Sequence, residues 1–77
     1  MPAAEYLLRK IIKAATKRGA VCEESKGGSS HSKFFLDNGK MYPVPAPNGR
    51  KSKIKYNYVR GLCKAAGWVP AEFIEDI

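Results

Sequence analysis

The tripeptide Asp37-Asn38-Gly39 lies between two short runs of alternating apolar and polar residues, and it constrains the fold more than any other feature. Asn-Gly accepts the positive φ angles of a type I′ turn, so the segment predicts a hairpin. One strand is expected over residues 30–36 and the next over 40–44. Alternation along Ser30-His31-Ser32-Lys33-Phe34-Phe35-Leu36 sets His31, Lys33 and Phe35 on one side. Ser30, Ser32, Phe34 and Leu36 fall on the other. Phe34 and Leu36 suit a core, so His31 and Lys33 are expected to face outward. Pro43 donates no amide and marks a sheet edge. A shorter strand is expected over 20–24, around Val21 and Cys22.

Two helical patterns flank these strands. Over residues 3–18, Leu8, Ile11, Ile12 and Ala15 recur at i, i+3, i+4 and i+7, and Leu7 and Ala14 widen the stripe. Pro2 suits a helix start, Glu5 the first turn, Lys17 and Arg18 the last, and Gly19 the left-handed stop. Arg9, Lys10, Lys13 and Lys17 form the wet side. Over 54–66, Val59, Leu62, Cys63 and Ala66 make a second stripe, ended by Gly67. Lys53, Arg60 and Lys64 line up opposite it. One short acidic turn is expected after Pro70.

The fold class is therefore α+β, in the order α-β-β-β-α, with a three-stranded antiparallel sheet and two helices on one face. The 77 residues allow one small domain. Its expected extent is residues 1–67, with 68–77 as a C-terminal extension that caps the domain or covers a functional face. Any active site is a shallow surface.

Composition narrows the partners. Lys and Arg number 14 against 7 Asp and Glu, a net charge of +7. A hydrophobic fraction of 44% fits a globular chain rather than a polybasic tail. The charge calls for a polyanion. No apolar run approaches the roughly 18 residues of a spanning helix, so no membrane partner is expected. No basic leader precedes the first helix, and a cytoplasmic location is expected. Cys22 and Cys63 fall on apolar positions and read as reduced core residues. With one His and two isolated Cys, neither a metal site nor a cofactor is expected.

Three features carry possible chemistry. A strand histidine taken alone is most often an ordinary solvated or hydrogen-bonded residue. His31 two residues from Lys33 on an open sheet face suits phosphodiester cleavage: imidazole moves the proton and the cation stabilises the phosphorane charge. The loop Lys26-Gly27-Gly28-Ser29 would let backbone amides approach a phosphate, although most Gly/Ser runs are simply turns. The run Arg50-Lys51-Ser52-Lys53-Ile54-Lys55 contains no acidic residue. It reads as a phosphate-binding stripe rather than a merely solvated face. Tyr56 and Tyr58 are expected chiefly to pack.

Gly28-Ser29-Ser30-His31-Ser32-Lys33-Phe34, then Asp37-Asn38-Gly39, Val44-Pro45 and a closing helix ending Leu62-Cys63-Lys64-Ala65-Ala66-Gly67, resemble the HicA (YcfA-like) toxins. These are small mRNA interferases of type II toxin–antitoxin systems. The resemblance covers roughly residues 5–67. It implies a double-stranded-RNA-binding-domain-like fold and metal-independent endoribonuclease activity on mRNA. By motif match His31 would be the catalytic histidine, and Lys33 is expected to assist it. RNA would be held by Lys26, Gly28, Ser29, Ser30, Arg50, Lys51, Lys53 and Lys64. A HicB-like antitoxin is the implied protein partner. The family commonly follows Val-Pro with a basic residue and a histidine, whereas Ala46-Pro47 stands here. That departure keeps open a non-catalytic RNA-binding or protein-interaction module of the same fold.

Overall fold

The computed structural model describes residues 5–24 and 31–77. In chain order the elements are β1 (Glu5–Leu7), α1 (Leu8–Lys17), β2 (Val21–Glu23), β3 (His31–Phe35), β4 (Met41–Pro45), a 3-10 turn (Gly49–Lys51), β5 (Lys53–Lys55), α2 (Tyr56–Ala66) and α3 (Pro70–Glu75). Strands β2, β3 and β4 form the expected antiparallel sheet in that spatial order, with Pro43 on an edge strand.

Helix α1 contributes Leu8, Ile11, Ala14 and Ala15 to the core, and α2 contributes Val59, Leu62 and Cys63. They meet Phe34, Leu36 and Val44 from the sheet in one buried cluster. Along β3 exposure alternates, with Ser32 and Phe34 buried and His31, Lys33 and Phe35 exposed. The helices thus cover one side of the sheet and leave the other open. Both helices end as expected on left-handed glycines, Gly19 at φ +93° and Gly67 at φ +81°. In each case the next amide reaches back to the last turn, Ala20 to Ala15 at 3.0 Å and Trp68 to Cys63 at 2.8 Å.

The starts of both helices depart from the sequence pattern. Residues 5–7 form a strand, not the start of α1, and pair antiparallel with 53–55. Tyr6 lies opposite buried Ile54, and the Leu8 amide donates to the Ser52 carbonyl at 2.9 Å. That pairing captures backbone groups that the helical pattern had assigned to two helices. Lys53-Ile54-Lys55 alternates exposed, buried, exposed, which is strand periodicity. Lys53 therefore does not share a helix face with Arg60 and Lys64.

The hairpin turn also differs from expectation. Among the described residues only glycines have positive φ, so Asn38 does not adopt the type I′ geometry. Gly39 alone is left-handed, at φ +85°, in a three-residue loop closed by the Leu36 amide on the Lys40 carbonyl at 2.8 Å. Asn38 contributes its side chain instead. Its Oδ1 accepts from the Lys40 amide and its Nδ2 donates to the Ala65 carbonyl, both at 2.9 Å, tying the hairpin to the end of α2.

The acidic turn expected after Pro70 is α3, and it joins the same core. Phe73 is fully buried and stacks on Trp68 with centroids 5.4 Å apart. The Arg18 guanidinium lies 5.2 Å from the Phe73 centroid and pairs with Asp76 at 2.7 Å. One residue at the end of α1 thereby holds residues 68–77 against the domain.

Candidate functional site

Register organises the open sheet face into three rows. His31 lies opposite Pro45. Lys33 lies between Glu23 and Pro43, and Phe35 between Val21 and Met41. Side chains of register partners share a face, with Cβ atoms about 4.5–5.5 Å apart. His31 and Lys33, two residues apart on one strand, are separated by roughly 7 Å of backbone. The face therefore grades from a polar end at His31 to an apolar end at Phe35. The apolar row is well exposed: Val21 64%, Met41 48% and Phe35 39%. Sequence reasoning foresaw His31 and Lys33 facing outward but not Glu23 beside Lys33, nor the apolar row. Both follow from the alternation of Val21-Cys22-Glu23 once the register is known.

The expected phosphate stripe is divided among three elements. Arg50 sits in the 3-10 turn and forks onto Glu24, Nε donating to Oε1 at 2.7 Å and Nη2 to Oε2 at 3.1 Å. The hydrogen bond from Arg50 holds the Glu24 carboxyl below its usual pKa, and Glu24 raises that of Arg50 in return. Arg50 is therefore part of an exposed ion pair, not a free cation for a ligand. Lys51 shares its turn, Lys53 is on β5, and Lys64 closes α2 in its last turn. Lys26, Gly28, Ser29 and Ser30 lie outside the described residues.

A denser set of cations gathers on α1. Arg9, Lys10, Lys13 and Lys17, with Arg50, line a shallow groove of about 730 Å³. Their spacing of three and four residues was legible in the sequence as a wet helix face. What sequence reasoning missed was that the 3-10 turn packs beside it and adds a wall.

A second groove, of about 640 Å³, runs along the β4 edge to β5 and the start of α2. Tyr42, Pro45, Lys53, Lys55, Asn57 and Tyr58 line it. Tyr42 is braced by a close approach to α2, where a methyl group at Gly61 would collide with its hydroxyl and lie 2.8 Å from Cζ. This explains a glycine in mid-helix, otherwise costly. Burial, and then neighbouring Tyr58, push the Tyr42 phenol above its usual pKa. Tyr56 and Tyr58, expected to pack, are instead exposed at 37% and 39%. Starting α2 at residue 56 puts both in its first turn, away from the buried Val59-Leu62-Cys63 stripe.

The cysteines behave as small core groups. Both are free thiols, Cys63 buried and Cys22 half-buried. Burial pushes each thiol up to about 11, so both are protonated at neutral pH. Among the described residues no helix is long and apolar enough to cross a membrane. Comparison with protein-family models, curated proteins and solved structures finds no match to this chain.

Proposed function

We propose that this chain is a HicA-like endoribonuclease that cleaves mRNA on the open sheet face without a metal ion. The carrying observation is His31 and Lys33 exposed together on β3, with the helices packed on the opposite side of the sheet. The proposed fold family is the double-stranded-RNA-binding-domain-like class. Within the chain, α1-β2-β3-β4-α2 has that order, with the β1–β5 pair and α3 as additions.

The chemistry needs a base, a cation and a substrate nucleophile. In this reading His31 takes the proton of a ribose 2′-hydroxyl. The 2′-oxygen attacks the adjacent phosphorus, and the bond to the 5′-oxygen breaks as that oxygen takes a proton from water, the proton held by His31 returning to solvent. The products are a 2′,3′-cyclic phosphate and a 5′-hydroxyl. The Lys33 ammonium stabilises charge on the phosphorane. The cations of α1, with Lys51, Lys53 and Lys64, give the domain a positive potential that attracts the RNA backbone.

A second reading is favoured by the Val21-Phe35-Met41 row. Exposed apolar residues on a functional face suit a protein partner. A HicB-like antitoxin seated there would cover His31, and a chain lacking activity would use the face for binding alone.

The test is cleavage of a single-stranded mRNA fragment in EDTA by wild type and His31→Ala. Wild type is expected to cleave and the variant to lose at least about 100-fold in rate. Equal cleavage by the two proteins rejects His31 as the catalyst. Tight RNA binding without cleavage by wild type supports the binding module.

A further inference from the structure

We infer that the groove between the β4 edge, β5 and the first turn of α2 is a subsite for unpaired nucleobases of an RNA strand. The inference rests on the ribonuclease reading for the identity of its ligand, but on separate residues for its geometry. Tyr42 and Tyr58 supply two aromatic rings within one groove, the first braced against the Gly61 backbone and the second exposed on α2. Aromatic rings stack bases of any identity, and a base is free to stack only where it is unpaired. Lys53 and Lys55 point to solvent on either side of buried Ile54, as a strand requires, and both line the groove. Two cations spaced along an extended segment suit successive phosphates. No carboxylate is among the described lining residues. Asn57 supplies both a donor and an acceptor for a base edge.

Position links the groove to the chemistry. Pro45 lines it and is also the register partner of His31. Antiparallel register partners have Cα atoms about 4.5–5.5 Å apart, so a strand leaving the groove passes within one nucleotide of the imidazole. Grooves of tyrosine and proline also take extended peptides. The lysines and the adjacency to His31 favour a nucleic acid strand over such a peptide.

The experiment measures binding in EDTA by fluorescence anisotropy, using a labelled single-stranded RNA 12-mer and the same sequence as a blunt duplex. Wild type, Tyr58→Ala, Tyr58→Phe and His31→Ala are compared. Tyr58 is exposed, so its loss leaves the fold intact, checked by circular dichroism. Tyr58→Ala is expected to weaken single-strand binding about 10-fold, with duplex binding unchanged within about twofold and Tyr58→Phe like wild type. Lys55→Gln is expected to reduce the salt slope of single-strand binding by about 1. Undiminished single-strand binding by Tyr58→Ala, or equal loss on both RNAs, overturns the inference. Binding of an acidic proline-rich peptide in place of RNA also overturns it. RNA cleavage absent in wild type, or undiminished in His31→Ala, with single-strand binding still dependent on Tyr58 rejects the His31 ribonuclease reading alone. Cleavage dependent on His31 with no Tyr58 effect on binding rejects the groove alone.

Discussion

The two sides of β3 differ in what they can lose. Ser32 and Phe34 face the buried core, and the Phe34 side chain is fully buried. His31 and Lys33, one residue away along the same strand, face solvent. A strand five residues long thus separates a surface that holds the fold from one that the fold leaves open. The difference teaches where to look for function in a domain this small. A side chain on the open face contributes little to the buried core, so it can be replaced with little effect on the fold.

Substitutions on the two sides should separate stability from activity. Phe34→Ala is expected to be the most damaging, costing about 3–5 kcal/mol and leaving the chain largely unfolded. Urea denaturation monitored at Trp68 measures this. Stability close to wild type would mean that the two sides of β3 are not distinct. Gly61→Ala comes next, at about 1–3 kcal/mol, because the new methyl group has nowhere to go beside Tyr42. In a Tyr42→Ala background the same change should be much less harmful, and additive losses would contradict the bracing contact.

Alkaline pH should weaken the core side in particular. The thiols of Cys22 and Cys63 ordinarily titrate near 9 and here are raised to about 11. A raised thiol pKa means that the folded state favours the protonated form. Its contribution is complete below 9 and is lost as pH rises through 11. Urea midpoints measured from pH 8 to 11 are expected to fall more steeply in wild type than in Cys63→Ala, compared as slopes. The Glu24–Arg50 pair is exposed and matters less. Glu24→Gln should lower the urea midpoint only slightly, and its effect should shrink with salt. Because the Glu24 carboxyl is held low, the pair's contribution is present above the ordinary carboxylate range and disappears as pH falls through the depressed value. Smallest on stability are His31→Ala and Lys33→Ala, each expected within about 0.5 kcal/mol of wild type.

This division was partly legible in the residues themselves. The alternation of His31-Ser32-Lys33-Phe34-Phe35 determines which side chains share a face whatever the tertiary context. The i, i+3, i+4 stripes of α1 and α2 likewise report their buried sides, and Gly19 and Gly67 mark their ends. The β1–β5 pair was hidden because each strand has three residues, too few for a period to stand out, and their pairing joins positions 46–50 residues apart, from Leu7 with Lys53 to Glu5 with Lys55. The Arg50–Glu24 fork and the approach of Tyr42 to Gly61 are also long-range pairings with no local signature. This is why the basic run of 50–55 read as one stripe, although tertiary structure divides it. The α1 cations needed no such pairing, and one helix collects them by spacing alone. Asn38 shows a different limit: Asn-Gly announced a turn, but the Ala65 carbonyl within its reach accompanied a geometry with one left-handed residue rather than two.

The central claim is that the open face of β3 activates a ribose 2′-hydroxyl through His31. The most direct measurement uses an RNA oligonucleotide with one 2′-deoxy sugar at its principal cleavage site, incubated in EDTA with wild type and His31→Ala, and reads the ends of the products. The account predicts that wild type leaves 2′,3′-cyclic phosphate and 5′-hydroxyl ends on all-ribose RNA, stops at the deoxy position, and loses activity with His31→Ala. Cleavage at the deoxy position at an unchanged rate, or products ending in 3′-hydroxyl and 5′-phosphate, would contradict it.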